Sequence, residues 1–369
     1  MTTYFLPASL LSSTCPSPDE EKPELHHYLF PSGKVLQKER TRKRQTLSAI
    51  VSVDDCIVYE DAADGFSVDQ PLLLWSITKS IVNLAIGVAV DQKILDLEAS
   101  LSDFYPESRY RFISELRVRH VLEWSSGIFW RENYEFAPLR SDVVAMLYTK
   151  GREDMASYVL SRRSASPPRE SFNYSTGDST LLMGILQKTL PEGQSAIDFI
   201  QKELFTPLGI TTASWESDTA GTLIGGASLF MSARDLLKLG QLVLNQGRWN
   251  NRQIIQADWF NESFKIVPAF RQRLQDRISQ NGTPGSHWWI NKVDEDRNIR
   301  KAWPDAPEDS ILAQGHWGQR LVIIPSQNLV AVRFGNELWG ASRLNDFISQ
   351  LSEFGQRQKI PSNSMEGKK

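Results

Sequence analysis

The sequence has two cysteines in 369 residues, Cys15 and Cys56, and neither belongs to a C-x-x-C. No disulfide framework and no zinc site is therefore indicated. The five histidines, His26, His27, His120, His287 and His316, contain no H-E-x-x-H, so no metal is expected and no cofactor is implied. No G-x-S-x-G is present, which argues against the nucleophile elbow of an α/β-hydrolase. Neither sign of charge dominates. The 41 Lys and Arg against 44 Asp and Glu leave −3, and this gives no general drive toward nucleic acid or an anionic membrane. The one basic run, at 38–44, reads as a solvated segment ahead of the first strand. The short apolar run from Phe5 to Leu11 has no basic residue before it and makes a poor secretory signal, so a cytoplasmic protein is the expectation. Long apolar runs are also scarce. Leu72 to Val90 is nearly long enough to span a bilayer, but Lys79 and Asn83 lie inside it, where charge is costly, so no membrane span is expected.

What is present is concentrated in that last stretch. Trp75-Ser76-Ile77-Thr78-Lys79-Ser80 leads into Ile81 to Val90, almost all apolar or small. A helix apolar on every side is the buried centre of a large domain once a membrane span is set aside. Ser76 stands where this helix should begin, and Lys79 follows one turn later on the same face. A serine hydroxyl becomes a nucleophile when a base takes its proton. A lysine can be that base when burial disfavours its charged form. The plainer alternative is that Ser76 is only a helix cap and Lys79 an ordinary helical lysine.

The length suits one large domain or two ordinary ones, and 41% hydrophobic residues supply a sizeable core. Residues 1–45, rich in Pro, Ser and charge, read as an extended lead-in. Ser48 to Val53 and Cys56 to Tyr59 are β-branched runs around Asp54-Asp55, a hairpin signal. The region 98–219 looks mainly helical, with His120 a structural histidine in a short amphipathic turn. His287 to Ile290 reads as a strand, and Leu321 to Ile324 and Leu329 to Phe334 as a second hairpin. A C-terminal helix, Arg343 to Glu353, precedes a tail, 356–369, expected to be disordered. Strands at both ends with helices between give an α+β fold: a discontinuous sheet domain, 46–97 and 220–355, and an inserted helical domain, 98–219.

Three separated elements complete the pattern: Ser76-Ile77-Thr78-Lys79, Tyr174 within Phe172-Asn173-Tyr174-Ser175, and Gly315-His316-Trp317-Gly318-Gln319 ahead of a strand. Their order and spacing resemble the serine hydrolases related to penicillin-binding proteins and class C β-lactamases. The branch of 6-aminohexanoate-dimer hydrolase and the family VIII esterases is the most similar. The resemblance runs from about Ser48 to about Ser349 and includes Leu122 to Gly127, Leu204 to Gly209 and His287-Trp288-Trp289. It implies a β-lactamase/transpeptidase-like fold, an antiparallel sheet flanked by helices, and a small-molecule ester or amide as substrate. It also implies roles. Ser76 would form an acyl-enzyme, Lys79 would hold or take its proton, and Tyr174 would act with Lys79 as base and then as acid. A neighbouring cationic lysine would lower the Tyr174 pKa. The Ser76 and Gln319 backbone N–H groups would form the oxyanion hole, and Gly318 would let the strand pass close to substrate, beside His316 and Trp317.

Two positions depart from the β-lactamase pattern. Thr176 stands where Tyr-x-Asn has asparagine, and His316-Trp317-Gly318 stands where Lys-Thr-Gly is usual. Both put β-lactamase and peptidoglycan peptidase activity in doubt. The expected function is a metal-independent esterase or amidase. The alternatives are a β-lactamase or D,D-peptidase, and a catalytically silent binding protein on the same scaffold.

Overall fold

Alternation along the strands is what sets the architecture. In the strand Thr46–Val53, Ile50 faces one core while Ala49, Val51 and Val53 face another. A strand sends successive side chains to opposite faces, so a sheet with two apolar faces needs cover on both. The computed structural model describes residues 23–30, 45–272, 281–337 and 343–358. In chain order it contains α1 (Pro23–Leu29), β1 (Thr46–Val53), β2 (Cys56–Ala62), β3 (Leu72–Leu73) and α2 (Ile77–Asp91). A mainly helical stretch follows: α3 (Leu101–Phe104), α4 (Val118–Leu122), α5 (Asp142–Tyr148), α6 (Met155–Leu160), α7 (Thr176–Thr189) and α8 (Ala196–Ile200). The chain then returns through β4 (Ser214–Trp215), β5 (Leu229–Met231), α9 (Ala233–Leu244), β6 (Arg248–Trp249), β7 (Arg252–Gln253) and α10 (Ala257–Ser263). It closes with β8 (Thr283–Pro284), β9 (Trp289–Ile290), β10 (Ile311–Gly315), β11 (Gln319–Ile324), β12 (Leu329–Gly335) and α11 (Leu344–Gln358).

The main sheet has seven strands in the order β2-β1-β12-β11-β10-β9-β8, with antiparallel neighbours. Its two ends of sequence meet where β1 pairs with β12, Val51 opposite Ala331. Helices α2 and α9 cover one face, on Ile50, Leu321, Ile323, Val330 and Val332. Helix α9 lies so close that a Cβ on Gly240 would meet Val330 Cγ1 at 2.4 Å. Helices α1 and α11 cover the other face through Leu25, Leu29, Phe347, Ile348 and Leu351, against Val51, Val322 and Ala331.

Helix α2 is buried from Ile77 to Ala89, as its composition requires. Its polar groups are satisfied inside the protein. Asn83 Nδ2 donates to Ser263 Oγ at 3.0 Å and Ser286 O at 2.9 Å, while its Oδ1 accepts from the indoles of Trp259 and Trp288. Among the described residues no helix is long and apolar enough to cross a membrane.

Four expectations need correction. Residues 23–29 of the supposed extended lead-in form α1, anchored by the Thr46 hydroxyl donating to Leu29 O at 2.5 Å and by His26 Nδ1 near the Tyr59 hydroxyl at 3.2 Å. Helix α11 runs to Gln358, into the stretch read as tail. His287 adopts a left-handed φ of 63° and only Trp289–Ile290 is strand. Cys56 is disulfide-bonded. The remainder of the lead-in, the basic run at 38–44 and residues 359–369 also lie outside them.

Candidate active site

Trp75 takes a left-handed turn, φ 51°, and Ser76 opens α2 immediately after it. Ser76 does not serve as a side-chain cap: its Oγ receives no bond from the helix N-terminus. That oxygen instead lies 2.9 Å from Lys79 Nζ. Lys79 is 1% exposed and also donates to Gly226 O at 2.7 Å. Burial pulls its pKa down to about 8, against an opposing effect of Glu132, whose Oε1 is 3.9 Å away. The carbonyl of Gly226 can accept from either charge state of Lys79. In the neutral amine it leaves the lone pair free to face Ser76.

Tyr174 sits two residues ahead of α7, where Ser175 Oγ caps the helix by accepting from Asp178 N at 2.9 Å. Its ring lies against Trp124 (4.8 Å between centroids) and Trp289 (5.6 Å), and Lys79 Nζ stands 4.8 Å from its centre. Behind it, His287 stacks on Trp124 at 4.4 Å, donates from Nδ1 to Leu122 O at 2.7 Å, and faces Ser179 Oγ through Nε2 at 2.8 Å. Burial and the nearby Lys79 keep this imidazole neutral, its pKa lowered to about 3. The expectation of a lowered tyrosine pKa is wrong. Burial first, then the charge of Glu132, raise the Tyr174 pKa well above 10, and hydrogen bonding with Ser76 only partly offsets this. At neutral pH the phenol is a proton donor, and Lys79 is the group poised to lose a proton.

The turn between β10 and β11 forms the opposite wall. Gly315 abuts the Ser76 turn, since a Cβ there would meet Leu74 O at 2.2 Å. Trp317 has φ 60° and is 40% exposed. Gly318 has φ 88°, and a Cβ on it would strike Arg333 Nη1 at 2.7 Å, so a buried arginine behind the turn requires glycine here. That arginine donates to Gly318 O at 3.0 Å and pairs with Glu337 at 2.5 Å. The Gln319 side chain turns toward the end of β12, where it exchanges bonds of 2.9 Å with Gly335 N and O.

Trp75, His316 and Trp317 form an aromatic cluster with centroids 4.9–5.4 Å apart. Burial lowers the His316 pKa to about 4, so the ring is neutral. One tautomer serves both its neighbours: Nε2–H donates to Glu135 Oε1 at 2.9 Å, and Nδ1 accepts from the Tyr134 hydroxyl at 3.4 Å. A cavity of 370 Å³ lies between these walls, lined by Ser76, Tyr134, Glu135, Tyr174, Trp289, His316, Trp317, Gly318, Arg320 and Glu337, among others.

The structure thus brings Ser76, Lys79, Tyr174, His316, Trp317 and Gly318 to one place. Glu132, Tyr134, Glu135 and Trp75 had no role in the sequence reading. The first three come from a loop with no helical or strand periodicity, so nothing in the pattern marked them.

A profile of the beta-lactamase family matches residues 33–348. The chain belongs to the beta-lactamase family. It is 20% identical over 274 residues to 6-aminohexanoate-dimer hydrolase of Paenarthrobacter ureafaciens, covering 68% of this chain and 67% of that protein. Among solved structures, a Bacillus anthracis protein assigned as 6-aminohexanoate-dimer hydrolase superposes with a TM-score of 0.67 at 19% identity, over 86% of this chain and 81% of its own. The hydrolase EstCE1, described as having promiscuous acyltransferase activity, gives 0.63 at 14% identity, over 84% and 93%. These likenesses establish a β-lactamase/transpeptidase-like fold, and family membership places the chain among hydrolases.

Proposed function

We propose that this beta-lactamase-family protein is a serine hydrolase that cleaves simple esters or linear amides through an acyl-enzyme on Ser76. The observation that carries the reading is the 2.9 Å contact between Ser76 Oγ and the buried Lys79 amine. Lys79, with a pKa near 8, takes the serine proton as Oγ bonds to the substrate carbonyl carbon. The oxyanion of the tetrahedral intermediate is held by the Ser76 and Gln319 backbone N–H groups, a type of donor typically worth about 10²–10³ in rate. Tyr174, protonated at rest, gives its proton to the departing alkoxide or amine and regains one from Lys79. Water then adds to the acyl carbon, its proton passes to the same pair, and Ser76 leaves as the free hydroxyl. His316, Trp317 and Gly318 form the wall for the acyl or leaving group.

Fluorophosphonate labelling with intact-mass detection and adduct mapping tests this. The adduct is expected on Ser76, and Ser76→Ala should lose both labelling and several orders of magnitude in turnover. Full activity of that variant would end the proposal.

A further inference from the structure

We propose that Glu132 is a positioning residue for this reaction, the fixed counter-charge that decides how readily Lys79 gives up its own proton before it can take that of Ser76. This rests on the reading of Lys79 as the base. The carboxylate is built into the site. Thr176 donates to it twice, from its hydroxyl to Oε1 and from its backbone N–H to Oε2 at 3.2 Å. Trp130 Nε1 donates to Oε2 at 2.5 Å. Trp130 is itself packed onto the first turn of α7, where a Cβ on Gly177 would meet its ring at 2.7 Å. Thr176 is the first residue of that fourteen-residue helix, so the carboxylate also faces the positive end of the helix dipole.

The same cluster closes back on Lys79. A Cβ on Gly226 would meet Thr176 Cγ2 at 2.2 Å, so the Gly226 carbonyl and Thr176 are locked together while that carbonyl holds Lys79 Nζ. The other titratable groups in this part of the site are shifted by burial toward their neutral forms. Tyr174 is a phenol, Tyr134 is raised by burial, and His287 is neutral. Asp178, bonded to Ser126 and fully buried, has its pKa pushed up to about 8. Among the described residues Glu132 is therefore the carboxylate that pairs with Lys79, at 3.9 Å. A carboxylate there favours the ammonium and so works against the base. Its three donors share that charge and so moderate its hold on the Lys79 proton.

The test is the pH dependence of fluorophosphonate labelling at Ser76, together with a ¹³C titration of the Lys79 side chain in a Ser76→Ala background. Glu132→Gln removes the counter-charge, and both the acidic limb and the lysine titration should move to lower pH by about one unit. Glu132→Asp, one methylene shorter, should move both in the same direction by less, and it carries the test if Glu132→Gln does not fold. Folded variants with neither property moved would show Glu132 to be merely structural and overturn the inference. A shifted lysine titration with an unmoved limb would instead overturn Lys79 as base and leave Glu132 as its counter-charge. Absence of any Ser76 adduct in the wild type would sink the serine-hydrolase reading itself, while the lysine titration would still judge Glu132.

Discussion

A lysine buried to 1% exposure is held at a cost to folding, and the cost has a pH signature. The Lys79 amine titrates near 8 in the folded protein and near 10.5 when the chain is unfolded. Below pH 8 both states are protonated and the penalty is present in full. Between about 8 and 10.5 the unfolded chain binds the extra proton, so stability rises with pH and the penalty is relieved. The relief amounts to about 3–4 kcal/mol at most, at ~1.4 kcal/mol per pKa unit. In urea unfolding at several pH values, wild-type stability should therefore gain on that of Lys79→Met across this window. A difference that stays flat with pH would mean that the amine is not held neutral by burial. The same physics explains why Tyr174 behaves opposite to expectation: burial disfavours charge on both groups, so the ammonium loses its proton more readily and the phenol less readily.

At the scale of elements, the sequence was most informative where one local rule decided the outcome. The hairpin of β1 and β2 turns at Asp54 and Asp55, with φ of 49° and 62°, the left-handed pair that a two-residue turn demands. Asp54 Oδ1 accepts from Asn328 Nδ2 at 2.8 Å, while Asp55 has its carboxyl pKa raised by burial and by Asp54. Asp55→Gly should thus stabilise the protein by about 0.5–1 kcal/mol, read as a higher Tm. A fall in Tm would show that Asp55 makes a contact worth more than its backbone strain. Helix α2 was legible for a similar reason, since thirteen buried residues in a row leave no surface face to misread. The loop carrying Glu132, Tyr134 and Glu135 was not legible. Its residues reach the site only because Trp130 packs on Gly177 and because Arg131 pairs with the buried Asp142 at 3.2 Å, contacts that depend on the tertiary fold. Helix α1 was hidden by the composition around it, and its place is set by contacts to β1 and β2 far along the chain.

At the scale of the whole molecule, the pocket is made where the loop ahead of α5 meets the β10–β11 turn, and the chemistry of that seam bears on substrate choice. Glu135 and Tyr134 come from one side and His316 and Trp317 from the other, joined by the 2.9 Å contact of His316 with Glu135. In the β-lactamase pattern the lysine of Lys-Thr-Gly faces the substrate carboxylate with a positive charge. Here His316 holds that position with a pKa near 4 and a carboxylate beside it, so the wall is neutral to negative at pH 7. Trp75, Trp317 and Tyr134 add aromatic surface suited to an acyl chain or ring. Arg320 and Glu337 both line the cavity, with Arg320 Nη2 3.9 Å from Glu337 Oε2, a carboxylate that Arg320 shares with Arg333. Losing a charged contact to a carboxylate typically costs about 1.5–3 kcal/mol, or roughly ten- to hundredfold in selectivity. Short p-nitrophenyl esters and an aminohexanoate-type amide should therefore exceed a chromogenic cephalosporin in kcat/KM by at least about tenfold. His316→Lys, which restores the cation, should narrow that gap. If the cephalosporin is instead the best substrate by tenfold or more, the neutral wall does not govern selectivity, and β-lactam hydrolysis becomes the activity to assign.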